Sequence, residues 1–71
     1  MENMIREYGR TELAQLYFPM LRSDSAWRKM KGWIELNKTL KNELLQLGYR
    51  PTVRSFTPRM VASIFEELGE P

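Results

Sequence analysis

The chain contains neither cysteine nor histidine. Without cysteine there is no disulfide and no thiolate metal site to staple the fold. Without histidine the commonest general base and the commonest neutral metal ligand are both missing. A catalyst would have to be assembled from carboxylates, lysines, tyrosines and hydroxyls alone, so neither an enzyme nor a cofactor is expected. Long hydrophobic runs are also missing. No apolar stretch approaches the roughly 20 residues a membrane span requires. Residues 1–7, Met-Glu-Asn-Met-Ile-Arg-Glu, lack the basic start and apolar run of a secretory leader. A soluble cytoplasmic protein that does not engage a membrane is therefore expected. Walker-type glycine loops, dinucleotide fingerprints, zinc-ligand spacings and serine nucleophile elbows are absent as well.

What is present fits one small domain over residues 1–71. A chain of this length buries only about 60% of its unfolded surface, so its core must be compact. Charge is nearly balanced, with 11 basic and 9 acidic residues and a net charge of +2. Its distribution says more than its total. Residues 22–41 carry Arg22, Arg28, Lys29, Lys31, Lys38 and Lys41 against only Asp24 and Glu35. Arg50, Arg54 and Arg59 follow with no acid between them, whereas Glu66, Glu67 and Glu70 cluster at the far end. The sequence predicts a basic middle and an acidic tail, the latter read as solvating charge rather than a metal site.

Residues 5–8, Ile-Arg-Glu-Tyr, alternate as a short half-buried strand does, and Gly9 breaks it. Thr11 is a good N-cap with Glu12 in the first turn, and Leu13, Leu16 and Tyr17 repeat at helical spacing. Phe18-Pro19 ends that helix, because the residue before proline is driven out of the α region. Ser23 or Asp24 caps a second helix reaching Leu36. Stepping about 100° per residue, Ala26, Met30, Trp33 and Asn37 share one face, flanked by Trp27 and Ile34. The opposite face carries Arg28, Lys31, Gly32 and Glu35. Leu40, Leu44 and Leu47 mark a third helix, with Gly48 as its C′ residue. Residues 49–56 form a loop entering a short strand over 53–56. Thr57-Pro58 is a cap followed by proline at N1, and Val61, Ile64, Phe65 and Leu68 form the stripe of a fourth helix. The expected core comprises Leu13, Leu16, Trp33, Leu44, Val61, Ile64, Phe65 and Leu68.

The fold expected is mainly α, a small helix-turn-helix domain of about four helices with a minimal two-stranded β element. A helix, a turn and a second helix with exposed cations is how many small proteins probe the DNA major groove. On that reading Arg28, Lys29 and Lys31 face the groove, and Arg22, Lys38, Arg54 and Arg59 touch the backbone. The bland alternative is a solvated helix face with an i, i+4 pair between Lys31 and Glu35. A second functional class is an adaptor that binds a protein partner, or another copy of itself as a homodimer, around Trp27 and Met30. Gly32 marks either a close backbone approach on the exposed face or a tolerant surface position.

The segments Tyr8-Gly-Arg-Thr-Glu-Leu-Ala-Gln-Leu-Tyr17, Ala26-Trp-Arg-Lys-Met-Lys-Gly-Trp-Ile34, Leu47-Gly-Tyr49, Arg54-Ser-Phe-Thr-Pro58 and Leu68-Gly-Glu-Pro71 together resemble a family of short bacterial proteins classed as a domain of unknown function. The likeness covers nearly the whole chain and carries no activity with it. More distantly, the chain resembles winged helix-turn-helix domains of the mercury-resistance-regulator and excisionase group. The carriers are Glu12-Leu13-Ala14 on the first helix, Arg28 on the second and Phe56-Thr57 before a later helix. That resemblance implies DNA binding in regulation, excision or DNA architecture. Residues 18–22 make a longer turn than that group uses, and no Asn-Gly or Asp-Gly hairpin wing is present.

Overall fold

The computed structural model describes residues 4–71, so the first three residues of the segment read for a leader lie outside it. The element order is β1 (Tyr8–Gly9), α1 (Arg10–Tyr17), α2 (Ser23–Leu36), α3 (Lys38–Gln46), β2 (Ser55–Phe56) and α4 (Pro58–Leu68). The protein is therefore mainly helical, with one two-stranded antiparallel sheet pairing Tyr8 with Phe56 and Gly9 with Ser55. No described helix is long and apolar enough to cross a membrane.

Both strands are shorter than their sequence patterns predict, for local reasons. At the first, Met4 and Ile5 stay exposed. At the second, the Val53 amide turns back to the Arg50 carbonyl at 2.9 Å, so the chain becomes extended only at Ser55. Thr57 and Pro58 then start α4. The Thr57 Oγ1 accepts from the Met60 amide at 3.3 Å, with proline inside the first turn, as the cap-and-proline signature predicts.

The start of α1 corrects the expected cap. Thr11 lies inside the helix, and the N-cap is Gly9, two residues earlier. Glu12 reaches back to accept from the Gly9 amide at 3.1 Å, and the Arg10 amide donates to the Arg54 carbonyl at 3.0 Å. A long-range bond thus satisfies a donor that an isolated helix leaves orphaned. Arg6 adds an ion pair to Glu12 at 2.8 Å. Together these bonds hold the Glu12 carboxyl below its usual range, the Arg6 bond contributing most. The cap of α2 is likewise one residue earlier than expected, at Arg22.

Asn37 joins α2 to α3 without a loop. It ends α2 in extended conformation while its Oδ1 accepts from the Leu40 amide at 3.0 Å, capping α3. The other end of α3 follows expectation. Gly48 adopts φ +100, the Gly48 amide bonds to the Leu45 carbonyl at 3.1 Å and the Tyr49 amide to the Leu44 carbonyl at 2.8 Å. This is the Schellman arrangement, which needs a residue free to take positive φ. It turns Tyr49 into the interior.

The core gathers Leu13 and Ala14 from α1, Ala26, Trp27, Met30 and Ile34 from α2, Leu40 and Leu44 from α3, and Met60, Val61, Ile64 and Phe65 from α4, around Tyr8, Tyr49 and Phe56. Three expected core members are displaced. Leu16 is 37% exposed, Trp33 is 39% exposed and Leu68 is only partly buried. The cause for Trp33 is the rotation of α2. The buried stripe is centred near Met30 and the Trp27 side, because Trp27 packs edge-on against Phe56 with ring centroids 5.8 Å apart. Trp33 is left at the rim, against Phe18 and Tyr17.

The two tryptophans should therefore differ in weight. Trp27→Ala is expected to cost about 3–5 kcal/mol, the usual toll for a buried aromatic, and Trp33→Ala distinctly less, as read by urea denaturation. Equal losses would contradict this rotation of α2. A second expectation concerns alkaline pH. Burial raises both Tyr17 and Tyr49 above their ordinary value of 10.0, aided by Glu70 and Glu35 respectively. Above pH 10 the unfolded chain then releases phenolic protons that the folded chain keeps, so stability is intact below that pH and falls as pH rises. Denaturation midpoints from pH 8 to 11.5 should show the fall, and Tyr49→Phe should lessen it. A flat profile would contradict it.

Candidate nucleic-acid interface

The exposed side of α2 divides into two flanks. By helical geometry Lys31 lies one turn beyond Trp27, with Arg28 next to both. Lys29, Trp33 and Leu36 follow the other flank at i, i+4 and i+7. Arg28 is exposed and Lys31 partly buried. Lys29 does not join them, because its ammonium sits over the Phe18 ring, 5.2 Å from the centroid. The three cations read as one set thus lie on opposite sides of the helix.

The first flank meets the sheet and its preceding loop. The Arg10 guanidinium lies over the Trp27 ring at 5.6 Å, and its Nη1 donates to the Val53 carbonyl at 3.2 Å. With the Arg10 amide bonded to the Arg54 carbonyl, loop 50–54 is tied to the start of α1 and to the Trp27 side of α2. Trp27 contacts Phe56, two residues after Arg54. The structure therefore brings Arg10 and the Arg54 backbone to the flank from which Arg28 and Lys31 project. Arg10 was missing from the sequence reading. Its signal was a basic residue at the first turn of α1, where a cation opposes the helix dipole and so calls for another reason to be there.

Arg22, Lys38 and Arg59 are exposed, and no ion pair among the described residues draws them to this flank. Arg22 and Lys38 bracket the two ends of α2, a helix about 21 Å long. Arg59 sits in the first turn of α4. The ion pairs among the described residues are Arg6–Glu12, Arg22–Asp24 at 3.9 Å and Lys41–Glu35 at 2.7 Å. Glu35 is thus bonded to Lys41 of α3, not to Lys31 as an i, i+4 pair. Arg28, Lys31, Lys38, Arg54 and Arg59 take part in none of the three.

Trp27 and Met30 cannot form a partner surface. Met30 is fully buried and Trp27 is 8% exposed, so the adaptor reading loses the residues assigned to it. The exposed apolar side chains of this region are Trp33, Leu36 and Met20 instead. No enclosed cavity occurs among the described residues, and Glu66, Glu67 and Glu70 form no metal-holding group there.

Gly32 lies between the two flanks with nothing within 4 Å of where a Cβ would stand. No neighbouring helix requires the glycine, which removes one of the explanations for it. Gly32→Ala is therefore expected to raise stability by about 0.5–1 kcal/mol through helix propensity alone, measured as a higher urea midpoint. A lower midpoint would show that the position is constrained within the fold.

The family described as domain of unknown function DUF4248 matches residues 4–71. No curated protein and no solved structure matches the chain significantly.

Proposed function

We propose that this chain, which belongs to the DUF4248 family, is a DNA-binding module, with α2 as the element that meets the duplex. On this reading α1, the turn of residues 18–22 and α2 act as a helix-turn-helix, and loop 50–54 with β2 serves as a reduced wing. The supporting observation is the junction of Arg10, Trp27 and Phe56, which fixes Arg10 and the Arg54 backbone beside the flank carrying Arg28 and Lys31. A major groove about 12 Å wide accepts one helix, and cations on two further elements can then reach the phosphates on its rim. Arg28 and Lys31 are assigned to the groove, and Arg10 and Arg54 to the backbone. Arg22, Lys38 and Arg59 are assigned to outer phosphates. Lys29 is left out because Phe18 holds it on the other flank. A regulatory, excisionase-like or architectural role follows from such binding.

Affinity for duplex DNA should then fall with salt, because each neutralised phosphate releases condensed counterions. With about four inner cations engaged, the logarithmic slope should be near −3.6. Replacing Arg28 and Lys31 together with alanine should weaken binding and flatten the slope by about 2 while the helical circular-dichroism signal is kept. Glu66→Ala with Glu67→Ala should leave the slope unchanged. Absence of duplex binding at low salt, or an affinity indifferent to the double substitution, would overturn the reading.

A further inference from the structure

The second flank of α2 carries an aromatic surface that the DNA reading does not use. Phe18 and Trp33 meet edge to face with centroids 4.7 Å apart, and Tyr17 meets the same tryptophan at 6.4 Å. Trp33 is 39% exposed, and Leu36, one turn further on, is 84% exposed. Contiguous exposed apolar surface rimmed by polar residues marks an interaction site. Its occupant is indicated by the charges at its two edges. At the Phe18 edge stands Lys29, its ammonium 5.2 Å from the ring centroid. At the Tyr17 edge the phenol donates to the Gly69 carbonyl, which places Glu70 beside it. The Glu70 carboxylate is near enough to help push the Tyr17 phenol upward.

An apolar strip with a cation at one edge and an anion at the other is complementary to itself under a two-fold rotation. Turning a second copy about an axis through the strip sets Lys29 against Glu70 twice and Trp33 and Leu36 against their own copies. Such an isologous contact closes on itself and stops at two chains. A basic partner would meet repulsion from Lys29, and an acidic one would meet it from Glu70. We propose that the flank formed by Tyr17, Phe18, Trp33 and Leu36 is a homodimer interface, with Lys29 of each copy facing Glu70 of the other. The proposal is independent of DNA binding, since Lys29, Trp33 and Leu36 lie on the flank away from Arg28 and Lys31.

Sedimentation equilibrium of the whole chain without DNA tests it, over concentrations up to ~1 mM, where even weak association registers. The weight-average mass should rise from the 8.5 kDa of one chain toward twice that value. Leu36→Glu alters a side chain that is 84% exposed, so its melting curve should match the parent's. Its dimer dissociation constant should rise at least about tenfold. Lys29→Glu and Glu70→Lys should each weaken the dimer, and the two together should restore it. A parent chain that stays monomeric throughout overturns the proposal and leaves the flank to an unlike partner. A dimer indifferent to Leu36→Glu overturns the assignment of the face. Failure of the double charge reversal to restore association overturns the two-fold pairing. None of these results bears on the salt dependence of DNA affinity, so the two readings fail separately.

Discussion

The ring of Phe56 joins the sheet to α2 and to the C-terminal turn of α3, and the rotation of α2 depends on what that ring touches. The residue is fully buried. Its backbone is paired with Tyr8, one face of its ring stacks with Tyr49 at 6.0 Å and 10°, and Trp27 approaches edge-on at 5.8 Å. Through these three contacts one residue of a two-residue strand connects β1, the C-terminal turn of α3 and the N-terminal half of α2. An isolated two-stranded ribbon is marginal in water. Here the ribbon is held because its central side chain is shared among aromatic neighbours, and pairs of that kind contribute about 0.5–1.5 kcal/mol beyond area burial.

The same contact sets the rotation of α2, and through it the character of the surface. Because Trp27 turns inward to Phe56, the buried stripe runs through Ala26, Met30 and Ile34, and Trp33 is carried to the rim. Alanines at Ala14 and Ala26, both fully buried, leave room for α1 and α2 to pack closely. The outward half of α2 is thereby divided between a basic flank next to the sheet and an aromatic flank next to the α1–α2 turn. Had the helix turned the other way, Trp33 would fill the core and Lys29, one turn before it on the same flank, would be carried inward with it.

Features governed by neighbouring residues were legible in the sequence, and features governed by distant ones were not. Gly48 and Thr57-Pro58 act within a turn of their own positions, and both ends formed as their residue types dictate. The four helices followed from periodicity for the same reason. The choice between Trp27 and Trp33 did not follow. They lie on either side of the apolar stripe, and the decision rests with Phe56, 29 positions beyond Trp27 in the chain. The Gly9 cap was hidden in the same way. Thr11 is intrinsically the better N-cap, but the Arg10 amide has a partner in the Arg54 carbonyl, which no local pattern reveals. At the candidate site, Arg28 and Lys31 were legible as a basic face. Arg10 was not, because its place over Trp27 depends on the fold, and neither was the separation of Lys29 from that face, because it depends on Phe18.

The two flanks of α2 also bear on whether the proposed activities can coexist. Arg28 and Lys31 point, on average, about 140° around the helix from Lys29, Trp33 and Leu36. A copy docked on the aromatic flank would therefore leave the basic flank facing outward. In a two-fold dimer the basic flanks of the two α2 helices would be related by the same axis. That is the arrangement by which paired helices address paired half-sites, whose spacing of about 34 Å is set by one turn of the duplex. The acidic residues are divided between the two flanks. Glu70 lies at the aromatic edge, where it would face Lys29 of the second copy, and Glu66 and Glu67 lie just before it in the last turn of α4. Glu35, by contrast, stands between Arg28 and Lys31 around α2, where its ion pair with Lys41 at 2.7 Å offsets its charge. A domain with a net charge of only +2 can offer a polyanion a locally basic face only where acids such as Glu35 are offset by neighbouring cations.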